Sequence, residues 1–117
     1  MKLKNKKIFF DIDNTICVTV GSKYSHSKPK KKIINLINQL YKDNTIVLYT
    51  ARYMGRYNSN KKKVLKKFKT TENQLRKWKL NFHKLIMCKP RYDIFFDDKA
   101  YNTKDKFLQN LIDTYYK

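Results

Sequence analysis

The stretch Ile8-Phe9-Phe10-Asp11-Ile12-Asp13-Asn14-Thr15 decides how this chain is read. Its apolar run, Ile8-Phe9-Phe10, predicts a short buried strand. Asp11 ends that run, and Asp13 follows one residue later. A second stretch, Asp93 to Asp98, repeats the pattern, with Ile94-Phe95-Phe96 as a predicted strand and Asp97-Asp98 behind it. The chain has eight Asp and one Glu, and four of these nine carboxylates lie just past the two predicted strands. In an open α/β sheet the carboxyl ends of the strands line the binding crevice. If the two strands are parallel neighbours, Asp11, Asp13, Asp97 and Asp98 converge in one small space. Like charges so close need a compensating cation. Hard oxygen donors with no His or Cys among them predict Mg²⁺.

Outward from these stretches, strands alternate with helices. Cys17 to Val20 and a turn at Gly21-Ser22 predict a small hairpin. Pro29 suits a first helical turn. Behind it Ile33, Leu36, Ile37, Leu40 and Tyr41 recur at helical spacing, with Asn44 as a left-handed cap. Thr45 to Thr50 predicts a second buried strand, and Tyr53 to Asn60 a loop. Lys61 to Lys69 carries Val64, Leu65 and Phe68 at helical spacing among lysines. Thr71 to Gln74 reads as a capping box for a short helix that buries Leu75 and Trp78. Lys84 to Met87 is a third strand. A last helix from Thr103 presents Phe107, Leu108, Leu111, Ile112 and Tyr115. This alternation predicts an α/β fold of βαβ units around a parallel sheet.

At 117 residues the chain makes one domain, 1–117, with room for a real core. No segment has the roughly 18 consecutive apolar residues of a membrane span, which argues against a membrane partner. The basic N-terminus is followed by too short an apolar run for a signal peptide, so the expected compartment is the cytoplasm. Cys17 and Cys88 are expected to be free thiols serving as small apolar fillers. The net charge of +19 would attract anions, nucleic acid among them. It is equally the product of a lysine- and asparagine-rich composition.

The chemistry follows from residue types. Asp11 can attack phosphorus as a covalent phosphoryl acceptor. Asp13 can protonate the leaving oxygen and then activate a water. Asp97 or Asp98 would hold Mg²⁺ together with Asp11. Thr50, at another strand end, can hydrogen-bond a phosphoryl oxygen, and Lys89 can neutralise developing charge. The Ile12–Thr15 turn, Asn14 included, would complete the phosphate cradle. Arg52 reads two ways, as a substrate contact or as a helix cap. Tyr24, Tyr53 and Tyr57 are expected to serve ordinary packing.

Asp11-Ile12-Asp13-Asn14-Thr15, then Thr50, then Lys89, then Asp97-Asp98 resembles, in order and strand context, the four-part signature of the haloacid dehalogenase (HAD) superfamily of phosphohydrolases. The match spans residues 8 to about 102. The resemblance implies a three-layer αβα Rossmann-like fold with a central parallel sheet. It also implies a phosphatase with Asp11 as nucleophile, Asp13 as acid/base, Thr50 and Lys89 as phosphate ligands, and Asp11, Asp13, Asp97 and Asp98 as the magnesium-binding acids. Asn14 stands where the family commonly has glycine, and asparagine tolerates the left-handed backbone. The chain has no room for an inserted cap domain. It looks like the capless group, close to small proteins linked to capsule or surface-polysaccharide synthesis. There Thr50-Ala51-Arg52, the Thr71 to Trp78 helix and Lys89-Pro90 to Asp97-Asp98-Lys99-Ala100 have counterparts. The expected substrate is a phosphorylated sugar or another small phosphate ester. Two alternatives are a phosphatase of polynucleotide 3′ ends and a nucleic-acid-binding module with little turnover. Capless members with an open site tend to act on large substrates or to borrow a neighbouring subunit as a lid, so the resemblance leaves a homo-oligomer as one of two expectations.

Overall fold

The computed structural model describes residues 2–116. Its parallel sheet has three strands: β1 (Lys7–Phe10), β4 (Thr45–Tyr49) and β5 (Lys84–Ile86), in the order β1-β4-β5. The register pairs Ile8 with Ile46, Phe10 with Leu48, and Leu48 with Leu85. A small antiparallel ribbon, β2 (Cys17–Val18) with β3 (Lys28–Pro29), stands beyond the end of β1. The expected hairpin is therefore present, with a longer connection than a tight turn. Pro29 pairs with Cys17 there and does not open the helix.

Helix α1 (Lys31–Leu40) joins β1 to β4, and α2 (Lys61–Leu65) with α3 (Phe68–Lys77) joins β4 to β5. Helix α4 (Lys106–Tyr115) packs against α1. Successive strands step across the sheet in one direction. Right-handed crossovers then put α1 and the α2–α3 pair on the same face. That face holds the core: Ile46, Leu48 and Leu85 meet Leu36, Ile37, Leu40, Val64, Leu75 and Leu111. Each such fully buried Leu or Ile contributes about 1.5–3 kcal/mol. Phe9, Val47, Tyr49 and Ile86 alternate onto the other face and lie outside this core cluster, with Phe9 51% exposed. The expected α/β fold with a parallel sheet is thus present, but among the described residues the helices pack on one face of the sheet, and the third layer of the expected sandwich is not seen.

Local chemistry accounts for the remaining differences. The expected helix over Lys61–Lys69 breaks after Leu65, which is left exposed while Val64 is buried. Asn60 caps α2, its Oδ1 accepting from the Lys63 N–H at 3.2 Å. Helix α3 starts at Phe68, so Thr71 lies inside it, its N–H donating to the Lys67 carbonyl at 3.1 Å rather than opening a capping box. Asn44 is not left-handed. Its buried amide instead ties the N-terminal strand to α1: Oδ1 accepts from Lys6 N–H (3.0 Å), and Nδ2 donates to the Leu3 and Leu40 carbonyls (2.9 Å each). The predicted strand at 93–96 does not form. Residues 91–106 are all exposed, Phe96 at 94%, and among the described residues no strand lies beside the outer edge of β1. Both cysteines are free. No helix of the described residues is long and apolar enough to cross a membrane.

Candidate active site

Three strand ends meet because the strands are parallel and aligned. Asp11 is the first residue past β1, Thr50 the first past β4, and Lys89 follows shortly after β5. The Thr50 N–H donates to the Ile86 carbonyl (3.0 Å), and the Lys89 N–H donates to the Thr50 carbonyl (3.0 Å). Cys88, at φ +67°, bends the chain just before Lys89. The Lys89 ammonium then lies 3.9 Å from Asp11 Oδ1 and over the rings of Tyr49 and Tyr92. The Thr50 hydroxyl oxygen accepts the Arg52 N–H at 3.1 Å, which leaves its own proton to donate. Asn14 takes the left-handed conformation expected of it, φ +61°. Its side-chain oxygen accepts the Thr19 N–H at 3.1 Å and so closes the loop after β1.

The two carboxylates of the Asp-x-Asp element stand in different surroundings. Burial pushes the Asp11 carboxyl above its ordinary pKa of 3.8, and the Asp13 charge adds to the rise. Lys89 and the Ile12 N–H pull it the other way. Asp13 is held on all sides. Arg52 Nε donates to its Oδ1 at 3.1 Å and Oδ2 at 2.9 Å, and the Thr19 hydroxyl donates to Oδ1 at 2.6 Å. Behind it, Arg52 Nη1 donates to Gln74 Oε1 at 2.5 Å and Nη2 to Ser27 Oγ at 3.4 Å. The guanidinium also stacks over the Tyr24 ring, 5.0 Å from its centroid.

Arg52 faces the Asp13 carboxylate rather than a helix end, so the helix-cap expectation is not met, and its side chain is 1% exposed. Thr19, Ser27, Tyr24 and Gln74 complete a network that the sequence reading did not assign. Gln74 sits on α3, 22 residues from Arg52, and no periodicity announces such a pair. Tyr24 and Tyr53 pack ring to ring at 4.7 Å, as ordinary packing predicts.

Asp97 and Asp98 are not brought to Asp11. They lie in the exposed 91–106 segment, where Asp97 Oδ1 accepts the Lys99 N–H at 2.7 Å and closes its own local turn. Among the described residues no three His, Cys, Asp or Glu side chains are grouped closely enough to share a metal ion. A magnesium ion is held by one or two carboxylates, with waters and substrate phosphate completing its octahedron, and Asp11 and Asp13 are the acids at this sheet edge that would hold one.

No family model matches the chain, and no curated protein matches it. Among solved structures it is similar to a structural-genomics target from Vibrio cholerae. The TM-score is 0.78 at 21% identity, over 94% of this chain and 98% of that one. At that identity the likeness bears on the fold alone.

Proposed function

We propose that this chain hydrolyses phosphate monoesters through an aspartyl-phosphate, as a capless enzyme of the haloacid dehalogenase type. One observation carries the reading: Asp11, Thr50 and Lys89, distant in sequence, share one end of the parallel sheet, with Lys89 3.9 Å from Asp11. A carboxylate beside a cation, with a free hydroxyl donor nearby, suits an incoming phosphate. Asp11 Oδ attacks phosphorus, and the P–O bond to the ester breaks. The departing oxygen takes the proton of the bound ester monoanion, passed on through Asp13 Oδ2, which keeps a lone pair beyond the Arg52 bond. Water then gives a proton back to Asp13 and attacks phosphorus. The bond from phosphorus to Asp11 breaks, and inorganic phosphate leaves. Lys89 and Thr50 offset charge on the equatorial oxygens.

The test is turnover of p-nitrophenyl phosphate by the full chain and by Asp11→Asn, with and without millimolar Mg²⁺. The magnesium arm matters because Asp97 and Asp98 must move to join Asp11 if they too are to hold the ion. Turnover that vanishes in Asp11→Asn supports the reading; equal rates in both proteins overturn it. A second reading, a phosphatase of polynucleotide ends, draws on the exposed Lys61, Lys62, Lys63 and Lys66 of the α2 region. It predicts phosphate release from an oligonucleotide end in preference to a sugar phosphate, falling with added salt.

A further inference from the structure

The molecule has a buried cation that its proposed reaction does not use directly. We propose that Arg52 is a positioning residue for the general acid: it fixes the Asp13 carboxyl toward the leaving oxygen, and Gln74 of α3 and Ser27 fix Arg52 in turn. The inference rests on the phosphatase reading and assigns a role to a network that reading leaves idle.

The argument starts from what each group can do. A carboxyl on a short side chain rotates freely unless its oxygens are engaged. Arg52 Nε lies within hydrogen-bond distance of both Asp13 oxygens, and Thr19 adds a third bond. Arg52 could itself swing, having a long side chain. It is held by Gln74 Oε1 on one terminal nitrogen, Ser27 Oγ on the other, and the Tyr24 ring against its plane. Gln74 is fixed as well, its Nε2 donating to the Tyr24 carbonyl at 2.7 Å. The chain of contacts thus runs from a helix of the scaffold to one carboxyl at the sheet edge. Sites supported in this way hold their reacting groups to a fraction of an ångström. A lysine at position 52 has a single point of donation and lacks the planar fork that spans Asp13, Gln74 and Ser27 together.

Leaving-group dependence separates positioning from bulk structure. Nitrophenolate departs without a proton, whereas an alkoxide needs one. Arg52→Ala is expected to lower kcat on ethyl phosphate by about 100-fold, the lower range of general-acid catalysis, with KM little changed. On p-nitrophenyl phosphate the loss is expected to stay within about 10-fold, because there the proton contributes little. Added guanidinium should restore part of the ethyl phosphate rate in Arg52→Ala. Arg52→Lys should behave as Arg52→Ala does. Gln74→Leu should show the same substrate selectivity in weaker form. Equal losses on both substrates, or a rise in KM as the main effect, overturn the proposal in favour of a structural or a substrate-binding role.

An activity-independent arm keeps the two readings apart. By urea unfolding, Gln74→Leu should lower the midpoint by less in the Arg52→Ala background than in the parent chain, since there only its bond to the Tyr24 carbonyl remains to be lost. Additive losses in the two backgrounds overturn the positioning chain whether or not the protein turns over phosphate. Absence of any Asp11-dependent turnover, by contrast, removes the phosphatase reading and with it the general-acid role assigned here.

Discussion

Replacing each carboxylate of the Asp-x-Asp element by its amide should change stability in opposite directions. Asp13 is 21% exposed and paired with an Arg52 side chain that is 1% exposed. Asp13→Asn leaves a buried guanidinium without its countercharge. Breaking a buried pair costs about 3–5 kcal/mol. An asparagine oxygen still accepts one bond and Asp13 is partly wet, so we expect a loss below that range, about 2–3 kcal/mol. That corresponds to a fall in Tm of roughly 10 °C for a domain of this size. Asp11 differs because burial raises its pKa, so the folded state disfavours its charged form. A group raised in this way stabilises the fold only below its unfolded pKa, near 3.8, and that contribution is lost as pH climbs through the folded value. At neutral pH the charge is a net cost, softened by solvent because 39% of the side chain is exposed. Asp11→Asn should therefore be at least as stable as the parent at pH 7, with the advantage shrinking as pH falls toward the unfolded pKa. Urea unfolding of the three proteins at pH 7 and pH 4 measures this. A stable Asp13→Asn, or an Asp11→Asn that loses more than Asp13→Asn, would refute the assignment of distinct surroundings to the two acids.

Three further outcomes are expected. Lys89→Met should lower kcat/KM on p-nitrophenyl phosphate by about 100-fold, the loss typical of one charge-stabilising donor, and steady-state kinetics read it directly. Thr71→Val should stabilise the chain by about 1 kcal/mol in urea unfolding, because the buried Thr71 hydroxyl has no hydrogen-bond partner and valine keeps its shape. Asn44→Ala should cost about 2–4 kcal/mol in the same experiment, since the Asn44 amide's three hydrogen bonds, to Leu3 and Lys6 ahead of β1 and to Leu40 of α1, are lost together.

Much of this protein was legible from residue order. The short runs at Ile8–Phe10, Ile46–Tyr49 and Lys84–Ile86 specify strands by their length and their β-branched, aromatic and aliphatic content. The spacing of Ile33, Leu36, Ile37 and Leu40 specifies α1 because one face must meet the sheet. Asp11, Thr50 and Lys89 each stand just past such a run, so their meeting was deducible once the strands were taken as parallel. Other features depend on contacts between segments far apart. The run Ile94-Phe95-Phe96 has strand-like composition, yet a strand requires a neighbour to pair with, and composition cannot supply one. Arg52 was identifiable as a special residue but not by its partner, because Asp13, Ser27 and Gln74 come from three separate elements and only packing brings them together. Local sequence sets which groups stand at the strand ends. The three-dimensional arrangement decides which of them are buried, paired and fixed, since burial and ion pairing are properties of neighbours in space rather than in the chain.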